Sequence, residues 1–130
     1  MQPSIRILLV EDDPLVILTV EDALKDGGFV VFTAADGASA VRLLEASDAD
    51  YRAVVTDVNL SPGGLTGWDV ARRARELSSD VPVVYTTGEA ADDWTAMGVP
   101  NSVLVPKPFA PAQIITAVSQ LLNQGNTPGA

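Results

Sequence analysis

The sequence predicts an α/β fold: one (βα)5 domain around a doubly wound, five-stranded parallel sheet in the order 2-1-3-4-5. Three observations lead there. Five short apolar runs rich in Val and Ile alternate with five segments of helical period. The runs are mostly continuous rather than alternating, as in parallel strands buried on both faces. The chain has 130 residues, enough for one domain with one core. Right-handed crossovers then put helices on both faces of the sheet and the functional site at the carboxyl ends of the strands.

The strands are expected at residues 5–10, 29–33, 53–56, 81–86 and 102–105. The first helix opens at Asp12 or Asp13, with Asp13 the better N-cap, and Pro14 occupies its first turn. Val16, Val20, Ala23 and Leu24 form its apolar stripe, and Gly27–Gly28 ends it. The second follows Asp36 as N-cap and buries Ala40, Val41 and Leu44. The third runs from about Trp68 to Ser78, with Val70, Ala71, Ala74 and Leu77 inward and the arginines outward. A short fourth helix is expected near 92–97, and the fifth starts at Pro111. Residues 1–123 form the domain; 124–130, with Gly, Asn, Thr and Pro, read as a disordered tail or linker stub.

Composition removes several classes of function. There is no Cys and no His, so disulfides, thiolate catalysis, zinc catalysis and Ser–His hydrolysis lack their usual parts. A net charge of −9 argues against a nucleic-acid partner. No apolar run is long enough for a membrane span, and the start lacks the features of a secretory signal, so a cytoplasmic protein without a membrane partner is expected. Chemistry is left to carboxylates, hydroxyls, Lys and a bound cation.

Those groups are expected at one edge of the sheet. Strand one delivers Glu11, Asp12 and Asp13, strand three Asp57, strand four Thr86 and Thr87, and strand five leads to Lys107. Two carboxylates about 4 Å apart repel by roughly 4 kcal/mol at an effective dielectric near 20. A cation is needed to hold such a cluster together, and all-oxygen ligands suit Mg²⁺. Lys107 is expected to add positive charge on the side away from the acids. A carboxylate beside Mg²⁺, with a hydroxyl and an ammonium nearby, is equipment for phosphoryl transfer to an aspartate. Each residue also has a plain reading: Asp13 as a cap, Asp57 and Thr87 as turn residues, Lys107 as a loop lysine between prolines.

Taken together, Leu9-Val10-Glu11-Asp12-Asp13, Val55-Thr56-Asp57, Thr87-Gly88 and Lys107-Pro108-Phe109 resemble the receiver domains of two-component response regulators and hybrid histidine kinases, over about residues 5–122. The resemblance implies a flavodoxin-like fold and a signalling protein that catalyses only its own phosphorylation and dephosphorylation. It makes Asp57 the phosphoacceptor, with Glu11, Asp12, Asp57 and the Asn59 backbone carbonyl around Mg²⁺. Thr87 becomes the switch hydroxyl and Lys107 a contact to the phosphoryl group, with a cis Lys107–Pro108 bond. A histidine kinase or histidine phosphotransfer protein would be the donor and another protein the downstream target; a phosphorelay shuttle and a hybrid-kinase receiver are alternatives.

Two departures stand out. Leu104 occupies a position where the family usually has Phe or Tyr, and with Tyr85-Thr86-Thr87-Gly88 this partly resembles a subgroup with a Phe-Ala-Thr-Gly-type motif. The loop 61–66 is about two residues longer than the common spacing. From another class, haloacid-dehalogenase-like phosphatases also pair an Asp nucleophile with Mg²⁺, Thr and Lys. Here Asp57-Val58-Asn59 lacks their second Asp, and the nucleophile strand is third rather than first. Trp94 and Met97 read either as part of an interaction face or as core, and Trp68 reads better as packing.

Overall fold

The structure, a computed structural model, describes residues 4–60 and 64–126. Strands β1 (Arg6–Val10), β2 (Val30–Ala34), β3 (Tyr51–Asp57), β4 (Val83–Thr87) and β5 (Ser102–Pro106) alternate with helices α1 (Pro14–Asp26), α2 (Gly37–Glu45), α3 (Gly67–Leu77), α4 (Trp94–Met97) and α5 (Pro111–Asn126). All strand pairs are parallel and the order is β2-β1-β3-β4-β5, the order expected from the sequence.

Strand residues alternate between two apolar layers. Leu8, Val10, Val54 and Tyr85 pack toward Ala40, Leu44, Val70 and Ala74 of α2 and α3. Ile7, Leu9, Val55 and Val84 pack toward Val20, Leu24, Ile114 and Val118 of α1 and α5. Each fully buried Val, Leu or Ile contributes roughly 1.5–3 kcal/mol relative to exposure.

Local chemistry starts and stops the helices. The Asp13 carboxylate accepts from the Leu15 N–H at 2.9 Å, so Asp13 caps α1 and Asp12 is free for other work. Asp36 caps α2 through the Ser39 N–H at 2.7 Å. Thr66 and Asp69 close a reciprocal capping box at α3, which therefore begins at Gly67. Gly27 is the C-cap of α1, and Gly28, at φ 95°, takes a left-handed conformation that disfavours other residues.

Several expectations are corrected. Leu77 is 46% exposed, because α3 turns its last residue away from the sheet; Trp68, at the other end, is buried, in line with its packing reading. Val41 is only half-buried. β2 is an edge strand, so it exposes Val30 and Thr33 rather than burying both faces. The short fourth helix expected near 92–97 is present, as a 3₁₀ turn at Ala91–Asp93 followed by a single α turn at Trp94–Met97, with Trp94 half-buried and Met97 exposed. α5 continues to Asn126, while the rest of the expected tail and part of the long loop, residues 61–63, lie outside the described residues. Beyond Asp93 the only charged side chain in the sequence is Lys107, so α4, β5 and α5 carry almost none of the chain's −9 charge.

Candidate functional site

Parallel register lines up the ends of four strands. Val10 pairs with Ala34 and Thr56, Asp57 with Thr86, and Thr87 with Pro106. Backbone bonds extend this alignment into the loops: Val58 N–H donates to Thr86 at 2.9 Å and Lys107 N–H to Thr87 at 2.8 Å. Glu11, Asp12, Asp57, Thr87 and Lys107 therefore emerge on one rim, as the topology requires.

Ligand oxygens of Glu11, Asp12 and Asp57 all lie within 4.8 Å of one another. Glu11 and Asp57 are buried and Asp12 is exposed, so the cluster is rooted in the sheet and open on one side. Lys107 does not sit away from the acids. Its Nζ donates to Glu11 at 2.9 Å and to Asp57 at 3.3 Å, bridging the two buried carboxylates. The second oxygen of Glu11 accepts from the Asp13 N–H at 3.0 Å.

One ammonium does not balance three carboxylates. Burial raises the pKa of Asp57 above the usual carboxylate range, against the opposing pull of Lys107 and the Asn59 N–H. Burial likewise raises Glu11, and the nearby Asp57 charge adds to the shift, while Lys107 and the Asp13 N–H oppose it. Burial would lower Lys107, yet its bonds and attraction to the two acids outweigh that and leave it raised. The residual negative charge and the oxygen-only donors fit a hard divalent cation.

Thr87 is fully buried at the end of β4. Its hydroxyl oxygen accepts from the Ala90 N–H at 2.8 Å and the Glu89 N–H at 3.2 Å, which leaves its own proton available for donation. Asn59, two residues past Asp57, is exposed beside the site and donates its backbone N–H to the Asp57 carboxylate. The Lys107–Pro108 bond is cis.

Sequence reasoning overlooked two positions. Gly67 opens α3 against the backbone of Asp57, where a Cβ would run into the Asp57 carbonyl. Thr66 and Asp69 in capping-box spacing would have put the helix start at Gly67. Tyr85, read only as part of a motif, is fully buried with its hydroxyl on the Val99 N–H at 3.1 Å.

Residues 7–119 match the family model of the response regulator receiver domain. The chain belongs to that family. Receiver domains are signalling modules, and this one is 45% identical to a response regulator receiver protein from Sinorhizobium medicae, with a TM-score of 0.88 over 92% of this chain and 95% of that one. A receiver domain of the sensor histidine kinase PA1611 from Pseudomonas aeruginosa, solved with magnesium in its active-site cleft, is 29% identical, with a TM-score of 0.78 over 93% and 99% of the two chains. The transcriptional regulatory protein PrrA of Mycobacterium leprae is 35% identical across 93% of this receiver domain and 51% of its own length. The sensor kinase CckA of Brucella abortus is 30% identical across 93% of the chain and 13% of its own length. The chain thus spans about half the length, or less, of these curated relatives. Among the described residues, no helix is long and apolar enough to cross a membrane.

Proposed function

We propose that this receiver domain takes a phosphoryl group on Asp57 from a phosphohistidine. One observation carries the reading: a buried carboxylate at the end of β3 shares its space with two further acids and is bridged to one of them by Lys107. In the step proposed, an Asp57 oxygen attacks phosphorus, the P–N bond breaks, and the imidazole leaves with the bonding pair. Lys107 then exchanges its bond to Asp57 for one to a phosphoryl oxygen, and the Thr87 hydroxyl donates to another. Glu11, Asp12, Asp57 and the Asn59 backbone carbonyl are the groups assigned to Mg²⁺, Glu11 through water. The metal, when bound, offsets charge on the phosphoryl oxygens.

The domain is read as a cytoplasmic switch with no substrate other than its own aspartate. Its donor is a histidine kinase or a histidine phosphotransfer protein. An apolar groove of about 430 Å³ beside the rim, lined by Leu15, Val16 and Phe109 and bordered by Lys107, supports docking of the donor protein there. The downstream partner is another protein. Residues 1–123 are taken as the working unit, either alone or within a longer chain.

Acetyl phosphate with Mg²⁺ tests this directly. Intact-mass spectra should show a single phosphoryl adduct that is absent in EDTA and absent in Asp57→Asn. No adduct from acetyl phosphate, and none from phosphorylated histidine kinases, would end the proposal.

A further inference from the structure

Leu104 leaves β5 without an aromatic, yet the position facing it holds one. Tyr85 on β4 is the Cα partner of Leu104, and its ring fills the cluster at whose margin Leu104 packs. That ring lies 4.7 Å from Trp68, the residue after Gly67, whose backbone abuts Asp57. Alternation along β4 gives Tyr85 and Thr87 the same face.

The two ends of the segment around α4 are held very differently. At the far end, Val99 N–H donates to the Tyr85 hydroxyl at 3.1 Å, and the Val99 carbonyl accepts from Ser102 Oγ at 2.7 Å. Arg75 of α3 donates to Pro100 O at 2.6 Å and to Val81 O at 2.7 Å, tying that turn to the sheet. At the near end, the Thr87 hydroxyl takes the Ala90 and Glu89 N–H groups, and neither the 3₁₀ turn nor α4 has a side-chain cap. A side chain at Gly88 would meet open space. Between the ends, Trp94 donates from Nε1 to Ser102 Oγ at 2.9 Å and lies against Gly98 so closely that a Cβ there would strike the indole.

We propose that Tyr85 is a positioning residue that pins the turn at 99–102, so that phosphorylation moves residues 88–97 about this pin with Trp94 as the displaced side chain. The proposal rests on the reading of Asp57 as phosphoacceptor. A phosphoryl group there recruits the Thr87 hydroxyl, whose oxygen then leaves Ala90 and Glu89; the near end is released while the far end stays bonded to α3, β4 and β5. A segment fixed at one end and released at the other turns as a hinged lever.

The test uses the full chain with both tryptophans replaced by fluorotryptophan, the Trp94 fluorine signal being assigned with Trp94→Phe. In the wild type, acetyl phosphate with Mg²⁺ should shift the Trp94 signal. In Tyr85→Phe, the adduct at Asp57 should still form, the Val99 amide should exchange faster with solvent, and the Trp94 signal should be displaced or broadened before any donor is added. Ser102→Ala, at a half-buried position, should release Trp94 in the same way while leaving the Val99 amide protected; it carries the test should Tyr85→Phe fail to fold. Wild-type adduct without a Trp94 shift overturns the proposal. So do variants that keep the resting signal and the full shift. Absence of the wild-type adduct instead overturns the reading of Asp57, and this proposal with it.

Discussion

Lys107 reaches two carboxylates at 2.9 and 3.3 Å, and both are buried beyond easy reach of solvent. Removing its charge while keeping its stem, as in Lys107→Met, leaves those acids facing each other unbalanced. The expected loss is about 1–3 kcal/mol in urea melts with EDTA, with Mg²⁺ recovering part of it. Asp57→Asn should act in the opposite direction. Asp57 has a raised pKa, so the folded chain binds its proton more readily than the unfolded chain does. Stability attached to this group therefore falls as pH rises from the ordinary carboxylate range through the raised value. Calorimetric melts without metal should show Asp57→Asn melting higher than wild type at neutral pH, with the gap closing as the medium is acidified. At this scale the sequence told only part of the story. The position of Lys107 after β5 was legible from spacing, but the end point of a four-carbon side chain depends on where the opposing charges lie.

Helix α3 shows what a helix start does for the site. Gly67 stands against the Asp57 carbonyl, and the capping box at Thr66 and Asp69 holds it there. Gly67→Ala must displace backbone rather than a flexible side chain. A loss of about 1–3 kcal/mol is expected, with slower adduct formation on acetyl phosphate followed by intact mass. Asp69→Ala should cost about 1 kcal/mol at neutral pH. The Thr66 N–H and the Arg72 guanidinium hold the Asp69 carboxyl below its ordinary range. Its contribution is therefore complete above the unfolded value and lost as pH falls through the depressed one, so the variant and wild-type melts should converge in strong acid. Strands and long helices were readable because their apolar runs have a clear period. The short fourth helix was placed correctly near 92–97, but its division into a 3₁₀ turn and a single α turn was not legible, because so short a segment has no period to detect; Leu77 misled because the last turn of α3 leaves the sheet.

Across the molecule, the two apolar layers share every strand between them, so neither can melt while the other keeps its sheet. Leu24→Ala in one layer and Val70→Ala in the other should each cost about 2–4 kcal/mol. Circular dichroism and tryptophan fluorescence should report one coincident transition for both variants; separated transitions would show two independent units. Fold order was legible at this scale because a βα alternation with right-handed crossovers admits few arrangements. The uneven placement of charge has its own outcome. With Lys107 the only charged side chain beyond Asp93, all the acidic residues lie before α4, and β5 and α5 at the β5 edge of the sheet carry none. On an amine-coated sensor or an anion-exchange resin it should settle with its acidic elements down, presenting β5 and α5 to whatever flows past.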